Sequence, residues 1–219
     1  MSRTRTPVAV LVSGRGSNMA ALIEAARAPD YPAEIVLVVS NRPDAGALAT
    51  AAAHGIATAV VDHKAFGSKA AFEAAVADRI EASGAEFICL AGFMRVLSGG
   101  FVDRFAGRIL NIHPSLLPSF KGLDTHERAL AEGVRIHGCT VHIVSAELDA
   151  GPIVMQAAVP VVADDTPDTL AARVLACEHR IYPAALAAVA CGAVRLVDGK
   201  VRLTADGDPA EPLVWPIPR

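Results

Sequence analysis

The chain is poor in aromatic residues, which supply 5% of its 219 positions and include a single tryptophan, so its core has to be built from closely packed aliphatic and alanine side chains. An excess of either charge is missing too, with 20 Lys and Arg against 23 Asp and Glu and a formal charge of -3. That balance offers no electrostatic footprint for nucleic acid or an anionic membrane, and small-molecule partners are expected instead. Long apolar runs are lacking: the stretches at 35–39 and 186–190 fall far short of the ~18 residues that span a membrane. The run at 8–12 that follows Arg3 and Arg5 is too short for the apolar region of a signal peptide, so no export is expected. Cysteine is sparse, and Cys89, Cys139, Cys177 and Cys191 share no CxxC or zinc-like spacing, which fits a reducing cytoplasm and no metal.

What is present is a globular composition, 53% hydrophobic with a mean hydropathy of +0.39. A chain of this length buries about 70% of its unfolded surface, enough for one core. A single domain over 1–205 is expected, followed by a surface tail at 206–219 that carries four prolines. Short β-branched runs near 8–12, 34–39, 57–61, 86–91 and 107–111 alternate with alanine-rich helical stretches near 18–28, 44–54 and 69–83. Beyond them a helix near 124–132, strands at 137–144 and 153–161, a helix at 167–190 and a hairpin at 193–203 are expected. This is an α/β pattern, and it predicts a Rossmann-like open, mostly parallel twisted sheet with helices on both faces.

Two segments interrupt the pattern with chemistry. Val8-Ala-Val-Leu-Val-Ser-Gly-Arg-Gly-Ser-Asn18 places Gly16, Ser17 and Asn18 between the first strand and first helix, where free N–H groups and the helix dipole favour an anion. Met19 and the non-acidic Ser40-Asn41 depart from a dinucleotide fingerprint, and no Walker lysine follows. The plainer alternative is a tight turn with Ser17 or Asn18 as helix cap. In the long loop 111–122, extended geometry puts Asn111 and His113 on one face, and Pro114 keeps His113 out of helix. An amide and an imidazole there suit a developing oxyanion if a carboxylate supports the ring, and Asp149 in the acidic loop before Gly151-Pro152 could supply it. A histidine merely hydrogen-bonded beside a turn is the competing account. His137 and His142 fall on opposite faces of their strand, His126-Glu127 lacks a second histidine, and no Gly-x-Ser-x-Gly elbow exists, so neither a metal nor a serine nucleophile is indicated. Leu90-Ala-Gly-Phe-Met-Arg-Val-Leu97 reads as an apolar strand end that either packs in the core or lines a slot for a flat ligand.

Taken in order from about 8 to about 200, these segments, with His137-Gly-Cys-Thr-Val-His142 and Glu147-Leu-Asp-Ala-Gly-Pro-Ile153, closely resemble the phosphoribosylglycinamide formyltransferases of the folate-dependent formyltransferase superfamily. The resemblance implies transfer of a formyl group from the co-substrate 10-formyltetrahydrofolate to the primary amine of glycinamide ribonucleotide, in purine synthesis. It implies Asn111, His113 and Asp149 as the catalytic trio, Gly16, Ser17 and Asn18 as the phosphate loop, and Glu178 as a contact on the amine side of the acceptor nucleotide. Met94, Arg95, Val96 and Leu97 match the folate slot, with Arg95 suited to a glutamyl carboxylate. Lys69 stands where many members carry arginine, which keeps a charge for the folate but gives up the bidentate fork. Ser119-Phe-Lys-Gly122 differs from the family's usual Lys-Tyr-Pro-Gly and is similar to formyltetrahydrofolate deformylase there.

Three alternatives follow from the same residues. A deformylase would give the formyl group to water and normally carries an N-terminal regulatory domain, for which a first strand at about 8 leaves no room. A methionyl-tRNA formyltransferase normally has a C-terminal domain of about a hundred residues. A noncatalytic nucleotide-binding module would need the glycine loop but not Asn111, His113 and Asp149 together. A homodimer is left open.

Overall fold

The computed structural model describes residues 5–203, so the expected tail at 206–219 lies outside the described residues. The chain runs β1 (Thr6–Val12), α1 (Ser17–Ala26), β2 (Ala33–Ser40), α2 (Gly46–Ala53), β3 (Ala57–Val60), α3 (Lys69–Ala82), β4 (Phe87–Leu90) and α4 (Gly99–Arg104). It continues with β5 (Ile109–His113), α5 (Thr125–Ala131), β6 (Ile136–Ile143), β7 (Ile153–Pro160), α6 (Pro167–Ala190) and a closing hairpin of β8 (Val194–Val197) and β9 (Lys200–Leu203). Seven strands form one sheet in the order β3-β2-β1-β4-β5-β6-β7. The first five are parallel, β6 runs against β5, and β7 runs against β6.

Alternation along each strand divides the core between the two faces of this open sheet. Val8, Val10 and Val12 of β1 face Met19, Leu22 and Ile23 of α1 and Leu170, Val174 and Leu186 of α6. Ala9 and Leu11 face Phe72, Val76 and Ile80 of α3 and Phe101 of α4. A register shift between Val8 and Ala9 pairs them with Ile35 and Leu37, so these two residues of β2 go to opposite cores despite being two apart. Helices on both faces and a mostly parallel, open sheet are the architecture expected from the alternating pattern.

Two local expectations change. The helix α4 was not among those expected, because it opens on Gly99-Gly100; Ser98 caps it, its hydroxyl accepting from Phe101 N at 3.3 Å. The apolar stretch 90–97 is not a strand end: β4 stops at Leu90, and 91–98 is a loop in which Phe93 and Leu97 pack on the core while Met94 and Val96 are 73% and 65% exposed.

The chain crosses the sheet between β3 and β4, so β1 and β4 flank the point where strand order reverses. Open α/β sheets place ligands in the crevice beyond the carboxyl ends of such strands. The fully buried Tyr182 of α6 holds the neighbouring strands together from below: its hydroxyl stands 3.0 Å from both Leu90 O and Leu110 O, near the ends of β4 and β5. Tyr182→Phe leaves both carbonyls without that donor in a dry interior and is expected to lower the unfolding free energy by about 1 to 2 kcal/mol. Urea denaturation with an unchanged m-value is the check.

Candidate active site

The loop after β1 turns into α1 through Gly16, which has φ 78° and serves as the helix cap without any side-chain hydrogen bond. The expectation of Ser17 or Asn18 as cap is therefore corrected: both are inside the first turn, and glycine takes the cap because the left-handed conformation favours it. A Cβ at Gly16 would also stand 2.6 Å from Ala47 Cβ of α2. The first N–H groups of the ten-residue α1 have no acceptor within the helix, which leaves them for an anion. With no capping duty, Asn18 donates from Nδ2 to Glu178 Oε2 at 2.7 Å, while its buried Oδ1 has no partner. Glu178 is buried on α6; burial pushes its carboxyl up, against the Asn18 amide and the charge of His113, which pull it down.

At the other side of the crevice β5 extends two residues beyond the expected 107–111, and both Asn111 and His113 lie in the strand, on the same face. Antiparallel pairing sets Asn111 opposite His142 and His113 opposite Thr140. Asn111 Nδ2 is 3.1 Å from His142 Nε2, and His142 Nδ1 is 3.3 Å from Ile143 O. Burial pushes the His142 ring down toward its neutral form, so Nδ1 keeps the proton and Nε2 accepts from the Asn111 amide. That arrangement fixes which way the amide points. His113, 6% exposed, has Nδ1 3.4 Å from Asp149 Oδ2 and Nε2 3.0 Å from Phe120 O. Both partners are acceptors, so each ring nitrogen has a place to put a proton.

Asp149 reaches His113 from an unusual backbone position. It has φ 49°, a conformation that aspartate tolerates better than most residues, and its Oδ2 also accepts from Gly122 N at 2.9 Å. Its loop is pressed against the end of β6, where a Cβ at Gly151 would stand 1.7 Å from Ile143 O. The 114–122 loop is tied down by buried Thr140, whose hydroxyl donates to Ser115 O at 2.7 Å and accepts from Leu117 N at 3.0 Å. His137 lies on the opposite face of β6 from His142, edge-on to Phe120 and His126, and burial pushes its ring down to about 4. Among the described residues, no group of three His, Cys, Asp or Glu could hold a metal ion.

The 91–98 loop closes the crevice between these two sides. Met94 N donates to Ser13 Oγ at 2.8 Å, and Ser98 N donates to Glu73 Oε1 at 2.8 Å. The Ser98 hydroxyl also donates to Glu73 Oε2. Lys69 Nζ is 3.8 Å from the same buried Glu73 carboxylate, which places Lys69 at the foot of the loop. Arg95 is exposed at its crest. The expected residues thus lie beyond or at the ends of β1, β4 and β5 and on the segments bonded to them, while His142, Ser13, Glu73, Phe120 O and Gly122 N were not anticipated in these roles. Only His142 had a sequence signal, its alternate position in a strand; its pairing with Asn111 depends on β6 running antiparallel to β5.

Residues 6–186 match the family model described as formyl transferase. The chain is 54% identical over 198 residues to the trifunctional purine biosynthetic protein adenosine-3 of Gallus gallus, covering 90% of this chain but 20% of that protein. It thus spans a fifth of the length of that relative. It is 44% identical over 189 residues to the phosphoribosylglycinamide formyltransferase of Escherichia coli, covering 86% of this chain and 89% of the relative. The crystal structure of the phosphoribosylglycinamide formyltransferase from Brucella melitensis superposes with a TM-score of 0.83 at 56% identity, over 86% of this chain and 97% of that one.

Proposed function

The chain belongs to the formyl transferase family, and from that premise we propose that it transfers the formyl group of 10-formyltetrahydrofolate to the primary amine of glycinamide ribonucleotide, a step of purine synthesis. The observation that carries this reading is the convergence of Asn111, His113 and Asp149 at the carboxyl edge, across a crevice from an unoccupied-by-side-chain helix start at Gly16-Ser17-Asn18. Phosphate on the α1 N–H groups anchors the acceptor nucleotide, and Glu178 orients its amine side. The folate takes the slot beside Met94, Arg95, Val96 and Leu97, with the exposed apolar side chains of Met94 and Val96 against its ring and Arg95 and Lys69 offered to its carboxylates.

The amine attacks the formyl carbon directly, and the carbonyl oxygen becomes an oxyanion. The Asn111 amide, aimed by His142, and the His113 ring hold that oxyanion. The oxyanion replaces Phe120 O as the acceptor on Nε2. Asp149 holds the opposite ring nitrogen, offers its charge to the imidazolium and assists movement of a proton from the attacking amine to the folate N10; the oxyanion then re-forms the carbonyl as the C–N10 bond breaks and tetrahydrofolate leaves. No covalent enzyme intermediate is needed, and positioning two bound substrates supplies much of the rate. No helix among the described residues is long and apolar enough to cross a membrane, and a reaction on two dissolved metabolites suits a cytoplasmic setting. A homodimer is compatible with this chemistry, since every named residue comes from one chain.

Tetrahydrofolate release from 10-formyltetrahydrofolate should depend on glycinamide ribonucleotide and yield no stoichiometric formate. Release with formate and no acceptor means deformylation instead. No release under either condition moves the assignment to another acceptor or a nucleotide-binding module.

A further inference from the structure

The loop that receives the nucleotide and the loop that receives the folate are joined by one buried hydroxyl. Ser13 follows the last residue of β1, Val12, immediately before the glycine loop and is 5% exposed. A hydroxyl has one proton and two lone pairs, and here both functions are assigned by geometry. Its proton goes to Asn41 Oδ1 at 2.6 Å, which turns a lone pair toward Met94 N at 2.8 Å. Asn41, 3% exposed, follows β2 and is itself held, its backbone oxygen lying 3.0 Å from His63 Nδ1. The carbonyl of the next residue, Gly14, accepts from Ala47 N of α2 at 3.1 Å. Ser13 therefore sits in a rigid frame on its own side and holds the backbone of Met94 on the other.

Met94 is the first of the four residues assigned to the folate slot, and it is 73% exposed. Nothing else among the described hydrogen bonds fixes the loop between Ala91 and Ser98; its far end rests on Glu73. Any ordering of the glycine loop by a bound phosphate therefore reaches the backbone of Met94 through the Ser13 hydroxyl. We propose that Ser13 is a positioning residue that couples the two subsites, so that nucleotide bound at 14–18 orders the 91–98 loop for the folate. This rests on the formyl-transfer reading of the site.

The test uses tetrahydrofolate and glycinamide ribonucleotide, a pair with no formyl group to transfer. In calorimetric titrations of the unaltered chain, the nucleotide should tighten tetrahydrofolate binding roughly fivefold or more. Ser13→Ala should bring that factor to about one and raise the KM for 10-formyltetrahydrofolate roughly tenfold, the scale of one lost hydrogen bond to a half-buried backbone donor. Nucleotide affinity in the absence of folate should stay within about twofold, because the α1 N–H groups are untouched. Ser13→Thr keeps the hydroxyl and should restore the coupling. Hydrogen exchange of the unliganded protein adds a readout free of turnover, with the 91–98 segment exchanging faster in the alanine variant. If the unaltered chain turns over while Ser13→Ala keeps its folate KM and coupling, the assignment is wrong and the reaction stands. Equal loss of both affinities with coupling intact means general distortion and also overturns it. Absence of acceptor-dependent turnover in the unaltered chain overturns the reaction and this assignment together.

Discussion

His113→Ala is expected to lower kcat by about 10² to 10⁴-fold while the affinity for glycinamide ribonucleotide stays within a fewfold. The reason is where the ring sits: at the last residue of β5, 6% exposed, with one nitrogen on Asp149 and the other on Phe120 O, the acceptor that the proposed oxyanion would replace. It makes no hydrogen bond to the helix start proposed to hold the phosphate, so losses should fall mainly on the chemical step and not on nucleotide capture. Removing the ring also leaves Asp149 with Gly122 N at 2.9 Å and the His142 ring at 3.9 Å, and frees Phe120 O. Some loosening of the 114–122 loop is therefore expected, and a thermal melt separates it from the catalytic loss. Steady-state kinetics with calorimetric binding decides the matter. A noncatalytic module would respond to nucleotide as before and have no turnover to lose; an enzyme retaining kcat within about threefold would place the oxyanion elsewhere.

Much of this site was legible because its residues are local in sequence. Asn111 and His113 share a strand face by period-two geometry, and Gly16-Ser17-Asn18 mark a strand-to-helix turn by composition alone. The open, mostly parallel sheet followed from the alternation of β-branched and alanine-rich stretches, since each short strand must be covered on both faces. What was not legible is whatever depends on pairing distant segments. His142 aims the Asn111 amide only because β6 turns back antiparallel to β5 in one particular register. Ser13 and Glu73 looked like an ordinary strand end and an ordinary helix carboxylate, and they act through backbone N–H groups of residues 81 and 25 positions away. Gly99-Gly100 concealed α4 for a different reason: propensity argues against a helix there, while the Ser98 cap and burial of Phe101 and Val102 overrule it. Motif resemblance named Asp149 as a partner of His113, but spacing could not place it 3.4 Å away; that needed the turn at Gly151-Pro152.

Asp149→Asn separates that carboxylate's charge from its shape. Asparagine tolerates the left-handed φ of 49° about as well as aspartate, and its amide oxygen can still accept from Gly122 N, so the loop should keep its fold. Two things change around His113. The negative charge beside the ring disappears, and because one oxygen, Oδ2, faces both Gly122 N and His113 Nδ1, the NH2 group takes the other position, where Oδ1 lies 3.9 Å from His142 Nε2. Nδ1 therefore keeps an acceptor, while the imidazolium is left without a counter-charge at the moment the oxyanion forms. We expect kcat to fall by about 10² to 10³-fold with both KM values changed less than about threefold, and with the melting temperature nearly unchanged. Asp149→Ala, which also gives up the Gly122 bond, should show a similar loss of kcat together with a lower melting temperature. The pair of variants distinguishes the alternatives: if Asp149→Asn stays within about fivefold of the unaltered chain while Asp149→Ala is inactive, the residue serves to pin the 120s loop and its charge takes no part in the transfer.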